Sequence, residues 1–180
     1  MKAIFLDRDG TINKEKDYLY KIEDFQFEKG VLSTLEELFV RGYKLFIISN
    51  QSGIARGYFK EKDLLKLNSF IKTEVKNHGF EFEEILYCPH HPKGKIKEYS
   101  LVCDCRKPKN KLIEDMIKKY GIEREGSFFV GDKVSDIEAG KSSKLTTVLV
   151  GTGYGKISRE DYNGYDYFMD SIEEILDIAK

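Results

Sequence analysis

Apolar and polar positions along the chain follow two alternating rhythms. Short runs dense in branched and aromatic residues read as buried strands: Lys2 to Leu6, Tyr43 to Ile48, Glu84 to Tyr87, Ser127 to Val130 and Thr146 to Val150. Between them, apolar residues recur at helical spacing. Gly30 to Arg41 carries Val31, Leu32, Leu35, Leu38 and Phe39, and Glu61 to Asn77 carries Leu64, Leu65, Leu67, Ile71 and Val75. Lys109 to Tyr120 carries Leu112, Ile113, Met116 and Ile117, with Gly121 as its stop. A short helix is expected near Val134 to Ala139, a last strand around Tyr165 to Met169 and a final helix from Ser171. Strand–helix alternation of this kind predicts an α/β fold, a doubly wound and mostly parallel sheet with helices on both faces. With no repeat, low-complexity stretch or linker, residues 1–180 are expected to form one domain.

Composition narrows the partners. Thirty basic and 31 acidic residues leave a net charge of -1, so no global basic field invites nucleic acid or an anionic membrane. No apolar run approaches the ~18 to 20 residues of a membrane span. Asp7 follows the first apolar residues too early for a signal peptide, and a cytoplasmic protein is expected. With no long apolar surface stripe left over, a monomer is expected. The three cysteines all fall between Cys88 and Cys105, too few and too local for a secreted disulfide framework.

The first candidate chemistry is Asp7-Arg8-Asp9-Gly10-Thr11, directly after a buried strand. Ligands of doubly wound sheets bind at the carboxyl ends of strands, where this loop must lie. Two carboxylates two residues apart suit one Mg²⁺, one through its side chain and the other through its backbone carbonyl; the ion takes oxygen ligands and screens a phosphate from an attacking carboxylate. A lone Asp-x-Asp serves as readily to cap a helix. Here two further strand ends carry polar loops, Ser49-Asn50-Gln51-Ser52-Gly53 and Gly131-Asp132-Lys133, and the cations Arg106 and Lys107 precede Pro108.

These segments together resemble the haloacid-dehalogenase-like phosphatases. Their first motif, Asp-x-Asp-Gly-Thr, is matched by Asp7 to Thr11, their second by Ser49, their third by Lys107 and their acidic fourth by Gly131 to Asp136. The resemblance implies a Rossmann-like fold without a separate cap domain. It also implies that Asp7 attacks phosphorus to form an aspartyl-phosphate and that Asp9 acts as general acid and then base. Mg²⁺ is expected on Asp7, Asp132 and the Asp9 carbonyl, with Ser49, Lys107 and Lys133 stabilising the phosphoryl group. Asp136 supports the site or simply caps a helix.

Cys88-Pro89-His90-His91-Pro92 and Cys103-Asp104-Cys105 offer a Cys-x-His pair and a Cys-x-Cys pair, the donor set of a closed structural Zn²⁺ site on Cys88, His90, Cys103 and Cys105. His91 is the alternative to His90. Such a staple within the inserted loop 88–107 fixes the backbone that aims Arg106 and Lys107. Family members with this loop resemble two groups, heptose 1,7-bisphosphate 7-phosphatases and histidinol-phosphate phosphatases. Lacking a fused second domain, and with an Arg-Lys pair suited to a doubly phosphorylated sugar, the chain favours the first. Arg106 is expected on the phosphate that is not cleaved, with Asn50, Gln51, Ser52 and Glu15-Lys16-Asp17-Tyr18 near the substrate. A zinc-dependent nucleic-acid-binding module is the reading from another class, and it leaves Asp7 and Asp9 without a role. Gly151-Thr152-Gly153-Tyr154-Gly155 lacks the Gly-Lys-Ser/Thr ending of a phosphate loop and reads as a flexible turn.

Overall fold

A computed structural model describes residues 1–180. The elements run β1 (Ala3–Leu6), α1 (Val31–Val40), β2 (Lys44–Asn50), α2 (Gly53–Arg56), α3 (Glu61–Asn77), β3 (Glu84–Cys88), α4 (Lys111–Tyr120), β4 (Phe128–Gly131), α5 (Val134–Ser142), β5 (Thr146–Val150), α6 (Gly155–Asp161) and β6 (Tyr167–Met169). All six strands are parallel, in the order β3-β2-β1-β4-β5-β6. The chain winds outward from β1 to β3 and then returns to the other side of β1 for β4 to β6. That reversal leaves a crevice at the carboxyl ends of β1 and β4.

Each strand feeds two cores because successive side chains point to opposite faces. From β1, Ile4 and Leu6 join Val31, Leu35 and Leu38 of α1 and Leu67, Ile71 and Val75 of α3. Ala3 and Phe5 face the other way, with Ile113, Met116 and Ile117 of α4 and Ala139 of α5. Both faces are covered, which is why β1 reads as an unbroken apolar run. Phe5 stacks between Phe46 and Phe129, its ring 5.0 and 6.5 Å from theirs. Burying each such side chain stabilises the fold by about 1.5–3 kcal/mol.

Four expectations shift. The helix expected from Lys109 begins at Lys111, because the chain leaves Pro108 through a turn and Asn110 is not helical. The last strand starts at Tyr167, two residues late, because Asp166 turns its carboxylate back onto the Thr147 backbone and hydroxyl. The segment after Ser171 is a 3-10 helix over Ile172–Asp177, not an α-helix, with Ser171 and Glu174 capping its start. The turn expected at Gly151 leads into α6, a helix the apolar pattern did not announce. No helix is long and apolar enough to cross a membrane.

Candidate active site

The ladder between β1 and β4 extends one residue past β1, where the Asp7 amide donates to the Val130 carbonyl at 2.9 Å. Asp7 therefore stands beside the end of β4, with Asp132 just beyond it. Asp7 Oδ1 accepts from Lys107 Nζ at 2.6 Å, and no group of the chain donates to its second oxygen. Lys107 Nζ also donates to the Ile48 carbonyl at 2.7 Å and pairs with Asp136 Oδ1 at 2.7 Å. Burial opposes the charge on Lys107, but Asp136 and Asp7 outweigh it and raise its pKa. Breaking a buried ionic set like this by removing one partner costs about 3–5 kcal/mol.

Asn50, expected on the substrate, is committed to the chain itself. Its Oδ1 accepts from the Lys107 amide at 3.0 Å and its Nδ2 donates to the Lys107 carbonyl at 3.1 Å. That two-ended clamp ties the end of β2 to the cysteine loop. Asp136 does both things proposed for it. One oxygen pairs with Lys107, and the other accepts from the Lys133 amide at 2.9 Å and caps α5.

Asp9 is held by a buried guanidinium. Arg8, 1% exposed, donates from Nε and Nη2 to Asp9 and from Nη2 to the Leu19 carbonyl. Asn13 Nδ2 and Gln51 Nε2 also donate to Asp9, at 3.1 and 3.0 Å. Burial alone would raise the Asp9 pKa, but the charge of Arg8 and these hydrogen bonds hold it below the usual range. Ser49, buried, receives the other Gln51 bond at 3.2 Å. Arg8 and Asn13 escape motif reading, although a cation between two carboxylates after an apolar strand is a visible signal.

Asp132 is fully buried. Its Oδ2 accepts from the Tyr154 amide at 2.8 Å, while Oδ1 is buried with no partner. Burial, then the charges of Asp7 and Asp136, push Asp132 up to about 8, and burial and Asp136, against Lys107, push Asp7 up to about 6. Carboxylate oxygens of Asp7, Asp132 and Asp136 lie within 4.8 Å of one another. Asp136 already uses both oxygens, so the oxygens free for a cation belong to Asp7 and Asp132. A bare buried carboxylate oxygen beside a second carboxylate fits a small hard cation.

A cleft of about 320 Å³ opens above these groups, lined by Asp9, Glu15, Asp17, Tyr18, Asn50, Gln51, Ser52, Arg106, Lys133 and Tyr154 among others. Lys133 donates to Glu15 at 2.9 Å and lies 4.8 Å from the centre of the Tyr154 ring. Arg106 Nη1 donates to the His90 carbonyl at 3.3 Å. Lys16, expected near the substrate, lies outside this lining and pairs with Asp24 on the surface at 3.3 Å. Larger hollows beside Lys141 and beside Tyr58 contain no strand-end carboxylate.

The cysteine loop gathers Cys88, His90, Cys103 and Cys105. The sulfurs stand 3.1–3.5 Å apart, and His90 Nδ1 is 3.4 Å from Cys105. His91 turns elsewhere, its Nδ1 accepting from the Lys93 amide and its Nε2 facing Arg56, so the open choice falls to His90. Burial and the neighbouring thiols push Cys88 up, and burial pushes Cys105 up. Burial opposes ionisation of Cys103 as well, but hydrogen bonds outweigh it and lower its pKa. Three thiols this close, ionised together, suit a cation between them.

A parallel sheet whose switch point presents an aspartate, a buried lysine and a second aspartate defines a haloacid-dehalogenase-like hydrolase. A family model described as "HAD-hyrolase-like" matches residues 104–175. A D-glycero-beta-D-manno-heptose-1,7-bisphosphate 7-phosphatase of Pasteurella multocida is 44% identical, over 99% of this chain and 97% of its own. A D-glycero-alpha-D-manno-heptose-1,7-bisphosphate 7-phosphatase of Photorhabdus laumondii is also 44% identical, over 86% of this chain and 85% of its own. The crystal structure of a D,D-heptose 1,7-bisphosphate phosphatase from B. bronchiseptica, complexed with magnesium and phosphate, matches at a TM-score of 0.86 and 26% identity, over 99% and 97% of the two chains. The chain belongs to the haloacid-dehalogenase-like phosphatase family that these relatives represent, and it is an enzyme.

Proposed function

We propose that the enzyme removes the 7-phosphate of D-glycero-D-manno-heptose 1,7-bisphosphate, with Asp7 as nucleophile. One observation carries the chemistry: buried Lys107 holds one oxygen of Asp7 at 2.6 Å and leaves the other free at the switch point. The names of the relatives favour the heptose over histidinol phosphate. Residues 1–180 act as one domain and one monomer, and three free thiols suit the reducing cytoplasm.

The free oxygen of Asp7 attacks phosphorus in line, and the sugar oxygen leaves with a proton from Asp9. A water then hydrolyses the aspartyl-phosphate, and Asp9 takes its proton. Arg8 keeps Asp9 ionised and ready for this second step. The arriving phosphate opposes Arg8, because a like charge favours proton uptake, and so serves the first step. Ser49 donates to the phosphoryl oxygens, Lys107 stabilises the phosphoryl group through its charge beside Asp7, and Lys133 supplies positive charge from the rim of the cleft. Asp7, Asp132 and the Asp9 carbonyl would hold Mg²⁺, which when bound neutralises charge on the transferring group. Cys88, His90, Cys103 and Cys105 would hold a structural Zn²⁺. Arg106, with no carboxylate partner, suits the second phosphate, and Gln51, Ser52, Glu15, Asp17 and Tyr18 flank the sugar.

Asp7→Asn tests the reading. Turnover of the heptose bisphosphate should vanish while the far-ultraviolet circular dichroism stays that of the parent, and substantial residual turnover in magnesium would sink the nucleophile assignment.

A further inference from the structure

The turn at Gly151–Tyr154, after β5, packs directly against the site. Thr152 Oγ1 donates to the Gly10 carbonyl at 2.6 Å, joining this turn to the loop of Asp7 and Asp9. Two residues on, the Tyr154 amide donates to Asp132 Oδ2, and from α6 the Ser158 hydroxyl donates to the Asp132 carbonyl at 2.9 Å. Gly10 and Gly153 both have positive φ, 82° and 53°. A Cβ on Gly10 would stand 2.2 Å from Asp132 Oδ2, and one on Gly153 would stand 2.3 Å from that oxygen and 2.6 Å from the Gly10 Cα. The Asp132 carboxylate is thus pressed between two glycine backbones, with Oδ2 engaged and Oδ1 bare.

We infer that this turn positions Asp132 for the metal, and that Thr152 is the positioning residue that locks the turn to the loop of the nucleophile. The inference rests on the reading that Asp7 and Asp132 hold Mg²⁺. The two carboxylates come from separate strand ends, and β1–β4 pairing fixes only their backbones. What fixes the direction of Oδ1 is the amide on Oδ2, and that amide belongs to a turn whose hydroxyl tether lies on Gly10. Mg²⁺ demands near-ideal octahedral geometry and tolerates little drift between its ligands. Partners that orient metal ligands are typically worth 10–100-fold in affinity.

Thr152→Val keeps the shape and removes the tether; Thr152→Ser keeps the hydroxyl. Mg²⁺ binding is measured by titration calorimetry on zinc-loaded protein, alongside the magnesium dependence of turnover. Thr152→Val should bind Mg²⁺ about 10–100-fold more weakly, with kcat recovering as magnesium is raised, and Thr152→Ser should bind like the parent. A purely structural role would leave a deficit that magnesium does not repair, and that result overturns the inference. Gly153→Ala, which crowds Asp132 directly, should weaken binding further, and its failure to do so also counts against it. Asp132→Asn separates the two readings. If it loses Mg²⁺ while Thr152→Val keeps parental affinity, the inference alone fails; if Asp132→Asn keeps Mg²⁺, the metal assignment fails and takes the inference with it.

Discussion

Asp132 is buried beside two other carboxylates and receives a single amide, an arrangement that favours its proton. The pKa values of Asp132 and Asp7, raised from 3.8 to about 8 and about 6, make the metal-free fold sensitive to pH. Unfolding returns both groups to the ordinary range. The folded chain therefore keeps protons that the unfolded chain has lost, and stability falls as pH rises through that window. In magnesium-free buffer the thermal midpoint should drop between about pH 5 and about pH 8. Asp132→Asn should flatten the drop, and a parental slope in that variant would refute the cause. At this scale Asp7, Asp9, Lys107 and Asp132 were legible because their spacing after apolar strands is chemical. Asn13 and Tyr154 were not, because what they touch depends on how the turns fold back. Lys16 belongs with them: the family resemblance put its segment near the substrate, and its side chain lies outside the cleft.

Among elements, legibility followed the apolar stripe. α1, α3 and α4 each bury one face and show it in their spacing, whereas α6 buries only Gly155 and offers no stripe to read. The cysteine loop was legible through its ligands, but not the ties that hold it to the body. The Ala55 carbonyl accepts from the Lys95 and Ile96 amides, and Glu61, the first residue of α3, accepts from the hydroxyls of Tyr87 and Tyr99. Burial and Glu61 push the Tyr99 hydroxyl up to about 12, so it remains a donor. These ties hold the far side of the loop, and Asn50 and the Cys/His cluster hold the side that carries Lys107. Replacing Cys103 and Cys105 by serine should abolish the roughly one zinc per chain that elemental analysis is expected to find. It should also lower kcat by about 100-fold, since a misplacement of about 1 Å is that costly. Unchanged kcat in a zinc-free variant would detach the staple from catalysis.

For the molecule as a whole, the parallel sheet was predictable from alternation, but its strand order was not, because nothing local in β4 says that it pairs on the free side of β1. That order brings Asp7 and Asp132, far apart in sequence, to one crevice. It also gathers Asp7, Asp9, Asp132, Asp136 and Glu15 around Arg8, Lys107, Lys133 and Arg106, acidic and basic groups nearly in balance. A divalent cation alone, or a phosphate alone, disturbs this balance by about two charges; arriving together, they leave it as it was. The two ligands should therefore bind cooperatively, each tightening the other by one shared factor, as linkage requires, in the range of about 5–150-fold. Titrating magnesium with and without inorganic phosphate, and phosphate with and without magnesium, should return the same ratio. Phosphate that binds equally well without the cation would show the crevice to be indifferent to its own charge. The same coupling makes phosphate, once released from Asp7, a product held more tightly as magnesium rises.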